Sequence, residues 1–286
     1  MGGGWVIEID IRKFFTTTGH DHLRDFLRRR VHDSVLLRLI GKWLNAGVLE
    51  DGCITRPEEG RPQGGVISPI FANVDLHEVL DVWFDREVRR RLSGEARVIR
   101  YADDALLLFA NEEDARRVMA VLPKRFGRYG LTLHPEKTRL VEFRRPDRRT
   151  PSRTEPGTFD LLGFTHFWGV AHSGKWIVKR NTAKDRSRRA LKRLADWCIV
   201  HLHDSVETQW RTLGGKLGGH FGYYGIVGNF RAIARFREEA RRGWQKWLNR
   251  RSQRGSMRWD RMQRLLERYP LPRARIRPFP LRAANP

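Results

Sequence analysis

The sequence predicts an α+β fold over residues 1–170, followed by an all-helical, strongly basic part over residues 171–286. Three observations carry that prediction. Apolar runs of strand length recur as far as "FDLLGFTHFW" and "GKWIVKR". Helical patterns separate them, the longest beginning at Ser68. From Thr182 onward the pattern is helical throughout and the charge balance changes. Residues 1–170 hold 28 Lys/Arg against 25 Asp/Glu, while residues 171–286 hold 28 against 8, so +20 of the net +23 lies in the second part.

Taken in order, "WVIEIDI" reads as a buried strand that ends at Asp10. "HDHLRDFLRRRV" and "SVLLRLIGKWLNAG" read as two helices, with Ser34 at an N-cap and Gly47 as a C-terminal stop. "RPEEGRPQGG" is a loop. A long helix follows, with Ser68 at its N-cap, Pro69 in its first turn, and Ile70, Val74, Leu80 and Phe84 along one buried face. "RVIRYADDALLLFA" is a hairpin whose tip carries two adjacent carboxylates, Asp103 and Asp104. Asn111 caps the next helix, which stops near Gly130; "LTLHPEKTRLVEF" is strand, turn and strand, with the turn at Pro135. The Pro- and Arg-rich "RRPDRRTPSRTEPGT" has little to bury and reads as a loop. In the second part, helices are expected over 183–202, 205–224, 229–251 and 257–268. Gly218, Gly219, Gly222 and Gly225 suggest a bend or a close approach of helices.

The composition excludes several classes. With 286 residues and 40% hydrophobic content the chain can bury a real core. It has no run of about 18 apolar residues, so no membrane span is expected, and its start lacks the pattern of a signal peptide. Cys53 and Cys198 are far apart and outside any CxxC, which argues against a disulfide framework or a zinc ribbon and for two buried thiols in a reducing, cytoplasmic setting. His20 and His22 read as helix-start residues rather than metal ligands. The basic second part implies a polyanionic partner, nucleic acid above all, with exposed residues such as Arg188, Arg189 and Lys192 on phosphates. The aromatics among them, Phe221, Tyr223, Tyr224, Trp244, Trp247 and Trp259, are expected to hold the helices together.

Two like charges side by side at a hairpin tip are costly unless a cation shares them. If the strand ending at Asp10 pairs in the same sheet, three carboxylates meet at one edge. An all-oxygen donor set suits Mg²⁺, and a pair of such ions clamps the attacking and leaving oxygens of a phosphoryl transfer. A lone Asp-Asp is commonly no more than a solvated turn, so the surrounding blocks decide.

Those blocks resemble the reverse transcriptases. "YADD" between two apolar strands is their signature, and four more blocks stand around it in order: "VIEIDIRKFF", "GRPQGGVISPIFANVDL", "GLTLHPEKTRLVEF" and "FDLLGFTH". The wording is similar to proteins encoded by bacterial group II introns. "GGKLGGHFGYYGIVGNFRAIARF" and "WLNRRSQRGSMRWDRMQRLLERYPLPRARI" resemble the thumb, or maturase X, domain of that group. The resemblance implies a partial palm, an antiparallel sheet with packed helices, over 1–170 and an all-α thumb/maturase X domain over 171–286. It implies Asp10, Asp103 and Asp104 as catalytic, metal-binding residues for two Mg²⁺ ions. It implies Phe15 under the sugar, where a ring would clash with a ribose 2′-OH, Gln63 and Gly64 at the incoming nucleotide, and Lys137 near the leaving pyrophosphate. The implied activity is RNA-directed DNA polymerisation, with deoxynucleoside triphosphates, a DNA primer paired to an RNA template, and group II intron RNA as partners. Within block one, "FFTTTGH" departs from the commoner acidic "FFDxIDH". The chain opens at the first catalytic block, so the expectation is a palm without the upstream fingers, and no endonuclease module is expected. A non-catalytic RNA-binding maturase fragment is the alternative. A retron-type enzyme fits the palm blocks but not "GHFGYYGIVGN".

Overall fold

The computed structural model describes residues 3–12, 14, 20–44, 48–50, 53–55, 68–146, 157–251 and 258–277. The chain divides into two compact units, residues 1–162 with 170–176, and residues 163–169 with 177–286.

The first unit is built on a four-stranded antiparallel sheet in the order β5-β6-β1-β8. Its strands are β1 (Gly3–Ile9), β5 (Ala96–Tyr101), β6 (Asp104–Phe109) and β8 (Arg139–Arg144). β1 is central, and its run Gly4–Ile9 is buried on both faces, which accounts for its near-continuous apolar sequence. Trp5, Ile7 and Ile9 face the main core with Ala105, Leu107 and Phe109. Val6 and Glu8 lie on the other face, as the register opposite Val141, Leu108 and Leu106 requires. Phe143 meets Phe159 of β9 (Phe159–Leu161) edge-on, ring centroids 4.8 Å apart.

The strand–turn–strand expected around Pro135 forms, but its arms go to different sheets. β7 (Thr132–Leu133) pairs with β2 (Ile11–Arg12), whereas β8 joins β1. A short hairpin, β3 (Val48–Glu50) with β4 (Cys53–Thr55), was not legible in the sequence.

Helices α1 (His20–Arg28) and α2 (Ser34–Leu44) form as expected. The cap of α2 is Asp33 rather than Ser34: its Oδ1 accepts from the amides of Val35 and Leu36 at 2.7 and 3.1 Å. The long helix, α3, begins at Ser68–Leu76, widens into π-helical turns at His77–Val82 and Phe84–Val88, and tightens to a 3₁₀ turn at Arg89–Arg91. This winding corrects the expected buried face. Ile70 is 60% exposed, and the buried pairs Phe71/Ala72, Asp75/Leu76, Val79/Leu80 and Trp83/Phe84 recur every four residues. Arg125 reaches across from α4 (Glu112–Gly127) to donate to the carbonyls of Glu78 and Val79, each at 3.0 Å. Asn111 occupies the cap position of α4 but makes no side-chain cap bond; its Nδ2 lies 3.4 Å from Ser93 Oγ. α4 ends before Gly130, which takes the positive φ of 73° expected of a helix stop.

The second unit opens with strand β10 (Phe164–Val170), hydrogen-bonded to β11 (Trp176–Thr182), so it is not helical from residue 171. Then come α5 (Lys184–Val200), α6 (Val206–Tyr224), α7 (Phe230–Asn249) and α8 (Trp259–Arg268). Their shared core includes Leu194, Cys198, Leu213, Leu217, Phe221, Phe236 and Trp244. Gln209 is buried among them, accepting from Trp244 Nε1 at 2.8 Å and donating to the His201 carbonyl. Buried Asn229 accepts from the Thr182 amide at 3.0 Å and donates to the Tyr224 carbonyl at 2.8 Å, holding β11 against the α6–α7 turn. Phe221 and Trp244 are core, as expected, but Tyr223 and Trp259 are 54% and 48% exposed. At Gly225, the C-cap of α6, an added Cβ would stand 2.7 Å from the carbonyl of Arg275, in the non-helical stretch after α8, so the close contact there is not one between helices. At Gly218, Gly219 and Gly222 a Cβ would meet nothing described within 4 Å, and α6 runs through all three.

No described helix is long and apolar enough to cross a membrane. Cys198 is a buried free thiol whose pKa burial pushes up to about 11. The side chain of Cys53, Gly47 and the loop 56–65 lie outside what is described.

Candidate active site

The site is the sheet edge where β1 ends and the β5–β6 hairpin turns. The hairpin pairs Tyr101 with Asp104, leaving Ala102 and Asp103 as a two-residue turn. Such tight turns need positive φ, and Ala102 supplies it at 53°. Asp103 is thereby held at the exposed tip, and Asp104 begins β6. β1 pairs with β6 so that Ile9 stands opposite Ala105. Asp10 directly follows Ile9 and Asp104 directly precedes Ala105, so the two residues stand at the same end of this strand pair.

Asp10 is pinned from the other side by the turn before β8. Its carbonyl accepts from the His134 amide at 2.8 Å and from Thr138 Oγ1 at 3.2 Å. Lys137 Nζ lies 3.3 Å from Asp10 Oδ2 in a pair that is largely open to solvent. The structure therefore puts Lys137 at the first carboxylate.

Two residues before Asp10, Glu8 is a buried carboxylate that the sequence reading missed. It accepts from Arg139 Nε and from the amide of Asp160, which ties β9 to the central strand. The bond to Glu8 holds the Arg139 pKa above its ordinary value. The sequence signal was an acid inside an apolar strand, which needs a partner when buried. Arg100 and Asp81 were also missed. Arg100 Nη2 is 2.7 Å from Asp81 Oδ2 and Nη1 is 3.1 Å from the Ala102 carbonyl.

Among the described residues no three His, Cys, Asp or Glu side chains are gathered closely enough to hold a metal together. The donor set nonetheless fits a hard divalent cation. Mg²⁺ takes one or two protein carboxylates and completes its shell with water and substrate phosphates, and Asp10 and Asp104 supply two on one edge. That edge already attracts a cation in the form of the Lys137 ammonium. Phe15, Gln63 and Gly64 lie outside the described residues.

In the second unit Arg188 and Lys192 are exposed one turn apart on α5. Arg189, also exposed, is paired with Asp185. Arg241 stacks 3.9 Å from the ring centroid of Trp259, covering part of that exposed aromatic.

The chain is similar to known proteins over most of its first unit. The family model described as "Reverse transcriptase (RNA-dependent DNA polymerase)" matches residues 2–166. Protein YkfC of Escherichia coli is 41% identical over 100 residues, covering 35% of this chain and 25% of that protein. The group II intron-encoded protein LtrA of Lactococcus lactis subsp. cremoris is 33% identical over 134 residues, 43% of this chain and 22% of that one. The putative COX1/OXI3 intron 1 protein of Saccharomyces cerevisiae is 25% identical over 233 residues, 64% and 27%. The chain thus spans about a quarter of the length of the curated relatives it matches.

Proposed function

The chain belongs to the reverse transcriptase (RNA-dependent DNA polymerase) family, and from that premise we propose that it is an RNA-directed DNA polymerase of the group II intron type that also binds intron RNA as a maturase. The observation that supports the reading is the β1–β6 register: Ile9, just before Asp10, stands opposite Ala105, just after the Asp103–Asp104 pair. Asp10, Asp103 and Asp104 would hold two Mg²⁺ ions, whose charge would lower the barrier to attack and stabilise the departing oxygen. The primer 3′-hydroxyl releases its proton to water and its oxygen bonds to the α-phosphorus of a deoxynucleoside triphosphate, while the bond from that phosphorus to the α–β bridging oxygen breaks and pyrophosphate leaves. Lys137, an ammonium beside Asp10, neutralises or protonates the pyrophosphate. Gln63 and Gly64 contact the incoming nucleotide, and the ring of Phe15 excludes a ribose 2′-OH.

Primer extension on an RNA template, with Mg²⁺ and the four deoxynucleoside triphosphates, tests the reading. Extension that a chelator abolishes supports it; none at any Mg²⁺ or Mn²⁺ concentration refutes the polymerase half.

A second reading has its own observation. The density of Lys and Arg in residues 171–286 suits a splicing maturase that binds folded intron RNA without polymerising. Salt-dependent binding of structured RNA in the absence of extension would favour it.

A further inference from the structure

The strand that leads into the carboxylate turn carries an arginine whose side chain doubles back onto that turn. Arg100 Nε and Nη2 donate to the two oxygens of Asp81 at 2.9 and 2.7 Å. Its Nη1 donates to Asn73 Oδ1 at 2.9 Å and to the carbonyl of Ala102 at 3.1 Å. The Arg100 side chain is only 13% exposed. Ala102 is the turn residue with φ of 53°, a conformation that an L residue with a Cβ holds under strain and keeps only when its surroundings over-determine it. The guanidinium supplies that constraint by gripping the carbonyl immediately before Asp103.

The winding of α3 makes the grip possible. Asn73 and Asp81 are eight residues apart. An α-helix turns about 100° per residue, which would leave them about 80° apart around the axis. A π-helix, with its wider i→i+5 bonding, turns roughly 80° per residue. The π-helical segment starts at His77, so half the interval is unwound and the two side chains come to within roughly 10° of each other. Asn73 Oδ1 and both Asp81 oxygens accept from the one guanidinium. Only a guanidinium presents donors in a fixed planar fork to match them, and an ammonium cannot serve this many acceptors at once with that geometry.

We infer that Arg100 is a positioning residue for the metal-binding turn, braced against Asp81 and Asn73, and that the π-helical turns of α3 exist to line up that brace. The inference rests on the reading of Asp103 and Asp104 as metal ligands. It also gives α3 a mechanical role. This helix begins four residues after Gly64, so the brace joins the carboxylate turn to the element that directly follows the proposed nucleotide-contacting loop.

The test uses the full chain with Arg100→Gln, Arg100→Lys and Asp81→Asn, read in three ways. Thermal melting shows whether each variant folds. Hydrogen exchange of a peptide spanning residues 101–105 reports the turn itself. Mn²⁺ titration followed by electron paramagnetic resonance reports the metal site, with Asp103→Asn identifying which binding belongs to it. The expected result for Arg100→Gln is faster exchange at the turn and a half-saturating Mn²⁺ concentration raised about 10-fold or more, the scale seen when groups that orient metal ligands are removed. Arg100→Lys should recover part of the shift, and Asp81→Asn should follow Arg100→Gln. Should Arg100→Gln not fold, Asp81→Asn, which keeps size and one acceptor, carries the comparison. Wild-type Mn²⁺ affinity in a folded variant overturns the positioning role while leaving the polymerase reading intact. Wild-type protein without any Asp103-dependent Mn²⁺ binding overturns both.

Discussion

The two charged regions of this protein are built on opposite plans. Residues 1–170 are nearly neutral, and their candidate site uses a few charges set by register, hydrogen bonds and one strained turn. Residues 171–286 carry +20, and several of their described exposed cations, such as Arg189, Arg211 and Arg242, are paired only with an acid one helical turn away. Arg188 and Lys192 are simply exposed, and Arg189 is held only by a neighbour one turn away. The difference follows from the ligand each plan suits. Metal-assisted phosphoryl transfer fails if a carboxylate moves by about an ångström. Binding to a polyanion depends on how many phosphates are neutralised, and many arrangements of cations achieve that. The first region should therefore respond steeply to single changes and the second gradually to several.

The strongest way to break that contrast is Asp103→Asn, which keeps shape and removes charge. Extension should fall by roughly 10³ or more, while the chain stays folded because a repulsion beside Asp104 is relieved. Normal extension by this variant would remove the two-metal assignment and with it half of the contrast.

The next test asks whether the second region really is gradual. Reversing Arg188, Arg189 and Lys192 one at a time to Glu should weaken RNA binding in steps. Each lost contact should shallow the log–log salt slope by roughly 0.7–0.9, and the triple variant should bind on the order of 100-fold more weakly at moderate salt. Loss of all binding at the first substitution would mean a specific site there instead.

The stability of the helical unit offers a third handle. His220 lies face to face with Phe236, ring centroids 3.6 Å apart, and its Nε2 has no hydrogen-bond partner among the described residues. Burial lowers its pKa to about 4, below the ordinary 6.5. The unfolded chain therefore takes up the proton first. The stability tied to neutral His220 is complete above pH 6.5 and is lost as pH falls toward 4, a drop of about 2 kcal/mol between pH 7.5 and pH 5. Denaturant unfolding at the two pH values measures it, and His220→Phe should abolish this part of the dependence.

The smallest expected effect is at Phe15. Phe15→Val should raise ribonucleotide use relative to deoxynucleotide use by roughly 10-fold, the scale of a change in pocket size. An unmoved ratio of the two efficiencies would make Phe15 an ordinary core residue.

Much of this protein was legible in one dimension. The hairpin at "YADD", the central strand before Asp10, the helices of the second unit and the charge asymmetry all follow from local pattern and composition. So did the family, because five blocks in order are a linear property. What failed did so for a shared reason. Ile70 was placed on a buried face by assuming 3.6 residues per turn, and α3 is wider than that over much of its length. Ser34 looked like a cap where Asp33 fills that role, and Asn111 stands at the N-cap of α4 as read but turns its side chain to Ser93, because the partner that satisfies a helix end depends on what else is within reach. Only tertiary structure decided that β1 pairs with β6 so that Ile9 stands opposite Ala105, that Lys137 rests on Asp10, that Glu8 bridges Arg139 and the Asp160 amide, and that Arg100 grips the Ala102 carbonyl from a wall made by Asn73 and Asp81. Apart from the Arg100–Ala102 bond itself, each of those contacts joins residues separated by a chain reversal or a whole element. Their partners are chosen by strand register and helix winding, which emerge only when the apolar faces pack.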